Sequence, residues 1–389
     1  MTRAGSNSIE ERPLGQIRNR PKHLMHVFPS FAVGGAQVRF GQLAAAHGGL
    51  YRHTVLALDG NLGMARMLSP AVAIECVIPD FNKRASFRNL PLFRRIIAEH
   101  RPDVLVTYNW GAMDWCLANR YRPLARHIHI EDGFGPEEKH KQLARRVWMR
   151  RIALSGHQTQ VVLPSRQLER IALAEWRLPP RSALYIPNGV DCARFAPAAD
   201  ARRARVNDPE RMQTIVVGTM ATLRPEKNLV HLIRMFAAVA APRPSAALKL
   251  TIVGDGPERA LLEAEAGSTG RTGQIIFTGQ TSTPENALAE MDVFALSSVT
   301  EQMPLSVLEA MAAELPIVSF AVGDVTDMVA PENKPYIAHS NDEAGFRKNL
   351  EMLCADRDLR IRLGRANRAE ALARFDHKLM VARYAQLFG

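Results

Sequence analysis

The 389 residues read as an α/β protein of two doubly wound, Rossmann-like domains facing each other across a cleft. Three observations predict this. Short β-rich runs alternate with helical patterns along nearly the whole chain, the alternation occurs twice, and the length suits two domains of roughly 100–200 residues each. With 47% apolar and 23% charged residues the composition is that of an ordinary globular chain, which excludes a collagen, a disordered tail protein and a disulfide miniprotein. No run of 18 apolar residues occurs, so no spanning helix is expected. Residues 1–20 are polar, carry Arg3, Arg12, Arg18 and Arg20, lack the apolar segment of a secretory signal, and read as a flexible basic tail. Cys76, Cys116, Cys192 and Cys354 lie far apart without a CxxC pair, the pattern of reduced, cytosolic thiols rather than a zinc site.

In the first domain, taken as residues 21–195, strands are expected at His23–Phe28, His53–Leu58, Ala73–Ile78, Val104–Tyr108, Ile128–Ile130, Gln160–Leu163 and Leu184–Ile186, with helices such as Arg88–His100 and Glu137–Leu154 between them. The polar, Arg-rich stretch Ala193–Met212, with Pro197 and Pro209, reads as the boundary. The second domain, 196–375, continues with strands at Thr214–Gly218, Lys249–Val253, Ile275–Thr278, Val293–Leu296, Pro316–Phe320 and Tyr336–Ala338. Such alternation gives parallel sheets covered by helices on both faces, and ligands bind beyond the carboxyl ends of such strands.

The most informative segment follows the strand Val293–Leu296 and runs from Ser297 to Ala312, with Glu301, Pro304 and Glu309 in it. Pro304 suits the first turn of a helix over roughly Pro304–Ala313. The amides near Met303 and Leu305 at that helix start can hold a phosphate, and the helix dipole favours its charge. Glu301 precedes the helix, and Glu309 lies five residues beyond Pro304, about 7.5 Å along the axis. Two carboxylates bracketing an anion site repel phosphates but accept hydrogen bonds from hydroxyls, so a sugar on one side and a ribose on the other is the simplest fitting ligand. Upstream, the loop after Thr214–Gly218 carries Arg224 and Lys227, cations for a diphosphate, the first as a fork and the second as a point charge. After the first strand, Gly34-Gly35 lets backbone approach a ligand, but the G-x-G-x-x-G spacing of a dinucleotide site is missing.

In combination these residues resemble the family 4 glycosyltransferases, retaining enzymes of the GT-B fold. The likeness rests on the Gly34-Gly35 loop, Ile186-Pro-Asn188-Gly189-Val-Asp191, Leu223–Asn228, Ile252-Val-Gly254-Asp-Gly256, Phe277-Thr-Gly279 and Glu301–Glu309, in order over residues 22–385. The resemblance implies that Glu309 holds the ribose of a nucleotide diphosphate-sugar, that Glu301 contacts its sugar, and that Lys227 with the Met303 and Leu305 amides binds the diphosphate. It also implies that Gly35 approaches the donor from the other domain, that the base lies near Gly279, and that a terminal helix, 376–389, crosses back to the first domain. Three departures stand out. Thr222 replaces the arginine usual before Pro-Glu-Lys, with Arg224 two residues on. Glu314 replaces a small residue. Where many members carry a donor-facing histidine, this chain has Asp132, with His129 close by.

The implied reaction moves a sugar to an acceptor hydroxyl with retained configuration. Lys227, Glu301 and Asp132 are the expected catalytic residues, and no metal or other cofactor is required if cations carry the phosphates. Asp356-Arg-Asp358 reads as a helix cap rather than a metal site. Residues 1–195 hold 28 Lys and Arg against 15 Asp and Glu, a net of +13, whereas 196–389 hold 22 against 24. Lys139, Lys141, Arg145, Arg146, Arg150 and Arg151, with Trp148 and no acid among them, suggest a helix at an anionic membrane surface. A lipid-linked or surface-glycan acceptor at the inner face of the cytoplasmic membrane follows as the expectation. No nucleic-acid reader motif is present. A non-catalytic GT-B scaffold and a sugar-nucleotide epimerase are the alternative readings.

Overall fold

The computed structural model describes residues 20–82, 85–138, 141–206, 214–241 and 248–389. The tail expected over 1–20 lies outside the described residues except for Arg20. Two parallel sheets make the frame. The first contains β1 (Lys22–Phe28), β2 (Tyr51–Ala57), β3 (Ile74–Val77), β4 (Val104–Tyr108), β5 (Arg126–Ile130), β6 (Thr159–Leu163) and β7 (Ala183–Tyr185), in the order β3-β2-β1-β4-β5-β6-β7. The second contains β8 (Ile215–Met220), β9 (Leu248–Val253), β10 (Ile275–Gly279), β11 (Val293–Leu296), β12 (Ile317–Phe320) and β13 (Ile337–Ala338), in the order β10-β9-β8-β11-β12-β13. Both orders reverse direction next to their first strand, at β1/β4 and β8/β11, and the functional loops grow from those switch points. The central strands are buried along their whole length, as in Val104–Tyr108 and Val293–Leu296. That is why they read as unbroken apolar runs rather than alternating ones.

The stretch expected to be a boundary linker is instead partly a helix, Ala196–Val206, and residues 207–212 of it lie outside the described residues. Phe195 and Ala198 enter the hydrophobic core of the second domain together with Val190 and Cys192. Asp200 and Arg203 of this helix are exposed, whereas Arg202 is fully buried. The basic helix also begins later than expected, at Ala144, with a separate turn at Pro136–Glu138. Asp356 caps the helix Arg357–Arg374 by accepting from the Leu359 amide at 2.9 Å.

The terminal helix His377–Phe388 places Met380, Tyr384, Leu387 and Phe388 in the core of the first domain, against Leu24, Phe28 and Phe40. Its entry is pinned at the Asn188-Gly189-Val190 turn, where Val190 N donates to Phe375 O at 2.8 Å and His377 N to Val190 O at 2.9 Å. A Cβ on Gly189 would stand 2.7 Å from His377 Cα, so only glycine lets the two backbones meet. Glu314, the departure from a small residue, has a left-handed φ of 66°. Its carboxylate accepts from Arg203 Nε at 3.0 and 2.9 Å, which compensates the buried charge. Among the described residues no helix is long and apolar enough to cross a membrane, and all four cysteines are free.

The first domain also buries a run of histidines. His26 Nε2 meets His53 Nδ1 at 3.1 Å, and His26 Nδ1 meets the Tyr108 hydroxyl at 3.1 Å. Burial, with the neighbouring histidines adding to it, lowers His53 to about 4 and His26 well below the ordinary imidazole value. The unfolded chain binds these protons near pH 6.5, so the stability they contribute is complete above that and is lost as pH falls toward about 4. Scanning calorimetry should therefore show the melting temperature of the first domain falling across that window, and His53→Gln should flatten the fall.

Candidate active site

The loop from Ser297 to Pro304 leaves β11 at the switch point, and the helix Leu305–Ala312 follows, with Pro304 as its N-cap. The first intrahelical bonds run from Val307 N and Leu308 N back to Pro304 O, so the amide of Leu305 opens the helix without an intrahelical partner. Lys227, from the loop after β8, reaches this segment. Its Nζ donates to Glu301 Oε1 at 2.6 Å, and the same oxygen accepts from the Ser298 hydroxyl at 2.7 Å. Ser297 Oγ donates to the Lys227 carbonyl at 2.8 Å, and Val299 N to the Glu226 carbonyl at 2.9 Å. Lysine and carboxylate are thus positioned by their own loops, with both side chains still partly exposed to the cleft.

The first domain grips the same loop at four points. Gly35, at the start of the helix Gly35–His47, comes within 3.7 Å of Leu305 Cδ1 measured from where its Cβ would stand. A Cβ on Gly133 would approach Gln302 at 3.2 Å. Ser165 Oγ donates to Gln302 Oε1 at 2.9 Å. Asn188 Nδ2 donates to the Met303 carbonyl at 2.9 Å, with its backbone N–H on the Met303 sulfur at 3.2 Å. Asp324, in the turn whose amide donates to Gln302 O at 2.8 Å, caps a helix of the opposite domain by accepting from Arg166 N at 2.5 Å and Gln167 N at 3.1 Å. The segment expected to bind the diphosphate is itself the contact between the domains.

Asp132 follows β5 and is held from two sides. Its amide donates to Asn109 Oδ1 at 2.6 Å, and its carboxylate receives both Nη atoms of Arg39, at 2.6 and 2.9 Å. Arg39 also donates to Asn188 Oδ1 at 2.8 Å. His129 does not face the cleft. It is fully buried with His127 and Cys116, and the Thr107 hydroxyl stands among the three at 2.9, 2.9 and 3.3 Å. Burial disfavours the charged imidazole, but the Cys116 sulfur and the Glu131 carboxylate outweigh it and raise the His129 value.

A cavity of about 870 Å³ lies farther along the cleft, lined by Gln42 and Met64 of the first domain and by Thr222, Gly254, Gln280 and Glu309 of the second. Glu309 points into it. Burial raises its carboxyl to about 7, opposed by the Arg194 guanidinium and assisted by Glu285. Gly279 has φ 76°, and its carbonyl accepts from Gly254 N at 2.8 Å, which ties the end of β10 to Gly254 in the cavity lining. Arg224 lies outside this constellation. It is exposed at the start of the turn Pro225–Lys227, and the cation in the cavity is Arg194, which donates to Ser282 O at 3.1 Å and pairs with Glu285 at 2.8 Å.

Sequence reasoning missed Arg39, Arg194 and the role of Asn188. Arg39 had a detectable signal: it lies on the buried stripe Arg39, Phe40, Leu43, Ala44, His47 of an otherwise apolar helix face. The basic patch needs correction. Arg150 is fully buried, pairing with Glu138 at 2.9 Å and Glu131 at 3.3 Å, and Arg146 is mostly covered between Glu138 and the Trp110 ring. Both were drawn inward because acids outside the counted stretch neutralise them. Lys141, Arg145, Arg151 and Trp148 are exposed, the last at 64%, and Lys139 lies outside the described residues.

The family described as "Glycosyl transferases group 1" matches residues 200–370, and that described as "Glycosyltransferase Family 4" matches residues 33–194. A GDP-mannose-dependent alpha-(1-6)-phosphatidylinositol monomannoside mannosyltransferase of Mycobacterium tuberculosis is 30% identical over 308 residues, 75% of this chain and 77% of its own. The chain belongs to the family 4 glycosyltransferases. A 2-deoxystreptamine glucosyltransferase of Streptomyces kanamyceticus is 30% identical over 177 residues, 44% of this chain. This and other relatives are matched over only about half of their own length. Anabaena HepE, solved with UDP-glucose, shares the fold with a TM-score of 0.76 at 15% identity, covering 94% of this chain and 98% of that one. The glycosyltransferase WaaG, involved in lipopolysaccharide biosynthesis, superposes with a TM-score of 0.72 at 17% identity over 94% of this chain and 99% of its own. The two parallel-sheet domains of this glycosyltransferase are therefore a GT-B fold.

The buried and exposed arginines of the helix Ala144–Leu154 should separate in stability. Arg150→Ala removes the buried cation that Glu131 and Glu138 share, leaving them His129 and Arg146 as partners, and should cost about 3–5 kcal/mol, while Arg145→Ala should stay within about 0.5 kcal/mol. Urea unfolding of the two variants checks this.

Proposed function

We propose that this glycosyltransferase uses a nucleotide diphosphate-sugar, transfers its sugar with retained configuration, and does so without a metal. What supports the donor reading most is the meeting of Lys227, from the loop after β8, with Glu301 and the start of the helix Leu305–Ala312, with Glu309 in the adjoining cavity. The diphosphate lies between the Lys227 ammonium and the Leu305 amide. Glu309 accepts from the ribose hydroxyls, the base extends toward Gly279 and Gln280, and the sugar meets Glu301. Departure of the nucleotide diphosphate builds negative charge where the ammonium and the helix dipole already stand, and preorganised charge of this kind is often the largest catalytic contribution. Asp132, pinned by two bonds from Arg39, suits stabilisation of the positively charged, oxocarbenium-like sugar better than proton abstraction. The leaving phosphate oxygen then takes the acceptor proton on the same face of the sugar.

The acceptor side is the first domain. Exposed Trp148, Lys141, Arg145 and Arg151 together with a net charge of +13 over residues 1–195 favour peripheral attachment to an anionic, cytoplasm-facing membrane and a lipid-linked or surface-glycan acceptor. The mycobacterial relative, whose name specifies a phosphatidylinositol mannoside acceptor, is consistent with this.

Three outcomes test the reading. Lys227→Ala should lower turnover by about 10²–10³, measured as nucleotide diphosphate released in the presence of membrane lipid. Donor affinity should rise as pH passes upward through about 7, because ribose hydroxyls bond best to the ionised Glu309. Calorimetric titration of UDP-, GDP- and ADP-sugars on both sides of that value checks this, and Glu309→Gln should abolish the pH dependence. Combined Arg145→Ala, Trp148→Ala and Arg151→Ala should weaken sedimentation with phosphatidylglycerol vesicles while leaving donor affinity unchanged. A scaffold would release no nucleotide diphosphate, and an epimerase would return an altered sugar without an acceptor.

A further inference from the structure

Arg39 lies one helical turn into the helix Gly35–His47, beneath the glycine that faces Leu305. Its side chain is 3% exposed and is held at a fixed fork. Two guanidinium nitrogens meet the two oxygens of Asp132 at 2.6 and 2.9 Å, and one of them also donates to Asn188 Oδ1 at 2.8 Å. The Asn188 amide is thereby oriented by chemistry, because its oxygen must accept from Arg39 and its Nδ2 is left to donate to the Met303 carbonyl across the domain boundary, at 2.9 Å. One buried cation thus touches both the Asp132 carboxylate after β5 and Asn188, the relay to the Met303 segment between Glu301 and Leu305.

We propose that Arg39 is the positioning residue that couples closure of the two domains to assembly of the reaction centre, fixing the Asp132 carboxylate directly and the Met303 segment through Asn188. This rests on the donor reading given above and adds to it the way the donor loop is held. A planar fork with more than two usable donors is required, so lysine, a single point charge, cannot make the Asp132 and Asn188 contacts in the same geometry. When the domains part, the Asn188–Met303 bond breaks together with the Ser165–Gln302 bond, and the donor loop loses its ties to the first domain.

The test compares Arg39→Gln, Arg39→Lys and Asn188→Ala with the unaltered chain by turnover, donor titration and hydrogen exchange. Arg39→Gln should lower kcat at least about tenfold with donor Kd changed less than about threefold, since misplacement rather than lost binding is the defect. Arg39→Lys should fall between the two. In all three variants exchange should quicken at residues 301–305, while the amides of β4 and β11 keep their protection. Asn188→Ala leaves the Arg39–Asp132 pair intact, so it decides the matter if Arg39→Gln does not fold. Folded variants with unaltered kcat and unaltered exchange at 301–305 would overturn the proposal. If the unaltered chain turns over no nucleotide sugar, the donor reading fails, and the exchange result still decides whether Arg39 holds the loop.

Discussion

The buried pairing of Arg39 with Asp132 is the interaction on which the geometry of the cleft depends. Removing either charge alone from such a site typically costs about 3–5 kcal/mol, because the other is left without compensation. A bidentate pair tolerates burial better when its further donors are satisfied, and here Arg39 also donates to Asn188 Oδ1, while Asn109 Oδ1 holds the Asp132 backbone amide. Asn188 then passes the constraint to Met303. The consequence is that a loop of the second domain takes its shape partly from the first.

Charge is distributed along the cleft in two clusters with different roles. At one end Lys227 and Glu301 share a 2.6 Å contact and both side chains remain partly exposed. At the other end Glu309 is withdrawn from water and raised to about 7, with Arg194 as the opposing charge. The large positive balance of the first domain does not translate directly into a binding surface. Arg39, Arg146 and Arg150 are consumed by internal acids, whereas Arg145 and Arg151 of the helix Ala144–Leu154 stay exposed.

The departures from the family pattern are absorbed locally. Glu314 brings a carboxylate and a left-handed backbone to a position where a small residue is usual, and Arg203 and Arg365 on two neighbouring helices answer its charge. Thr222 lines the cavity where an arginine is usual, and Arg224 does not turn inward to replace it. Arg194, delivered by the turn after Asp191, is the guanidinium present in that cavity. Its charge acts toward Glu309 and Glu285, which places it at the Glu309 end of the cleft.

The sequence by itself determined the two-sheet architecture, because uninterrupted apolar strands alternating with helices have few other solutions, and Val104–Tyr108 and Val293–Leu296 are bounded in the fold as they are in the pattern. It also determined the Glu301–Glu309 segment and Lys227, whose contacts are made by loops adjoining neighbouring strands and so follow from local order. The tertiary structure alone decided which charges face the cleft. Arg39 meets a carboxylate 93 residues away and Asn188 meets Met303 115 residues away, and Arg150 was drawn inward by Glu131 and Glu138. Spacing along a chain specifies which residues share a strand or a helix face, but the partner of a buried charge is set by how those faces pack, and that information exists only once both sheets are folded and the terminal helix has closed over the first.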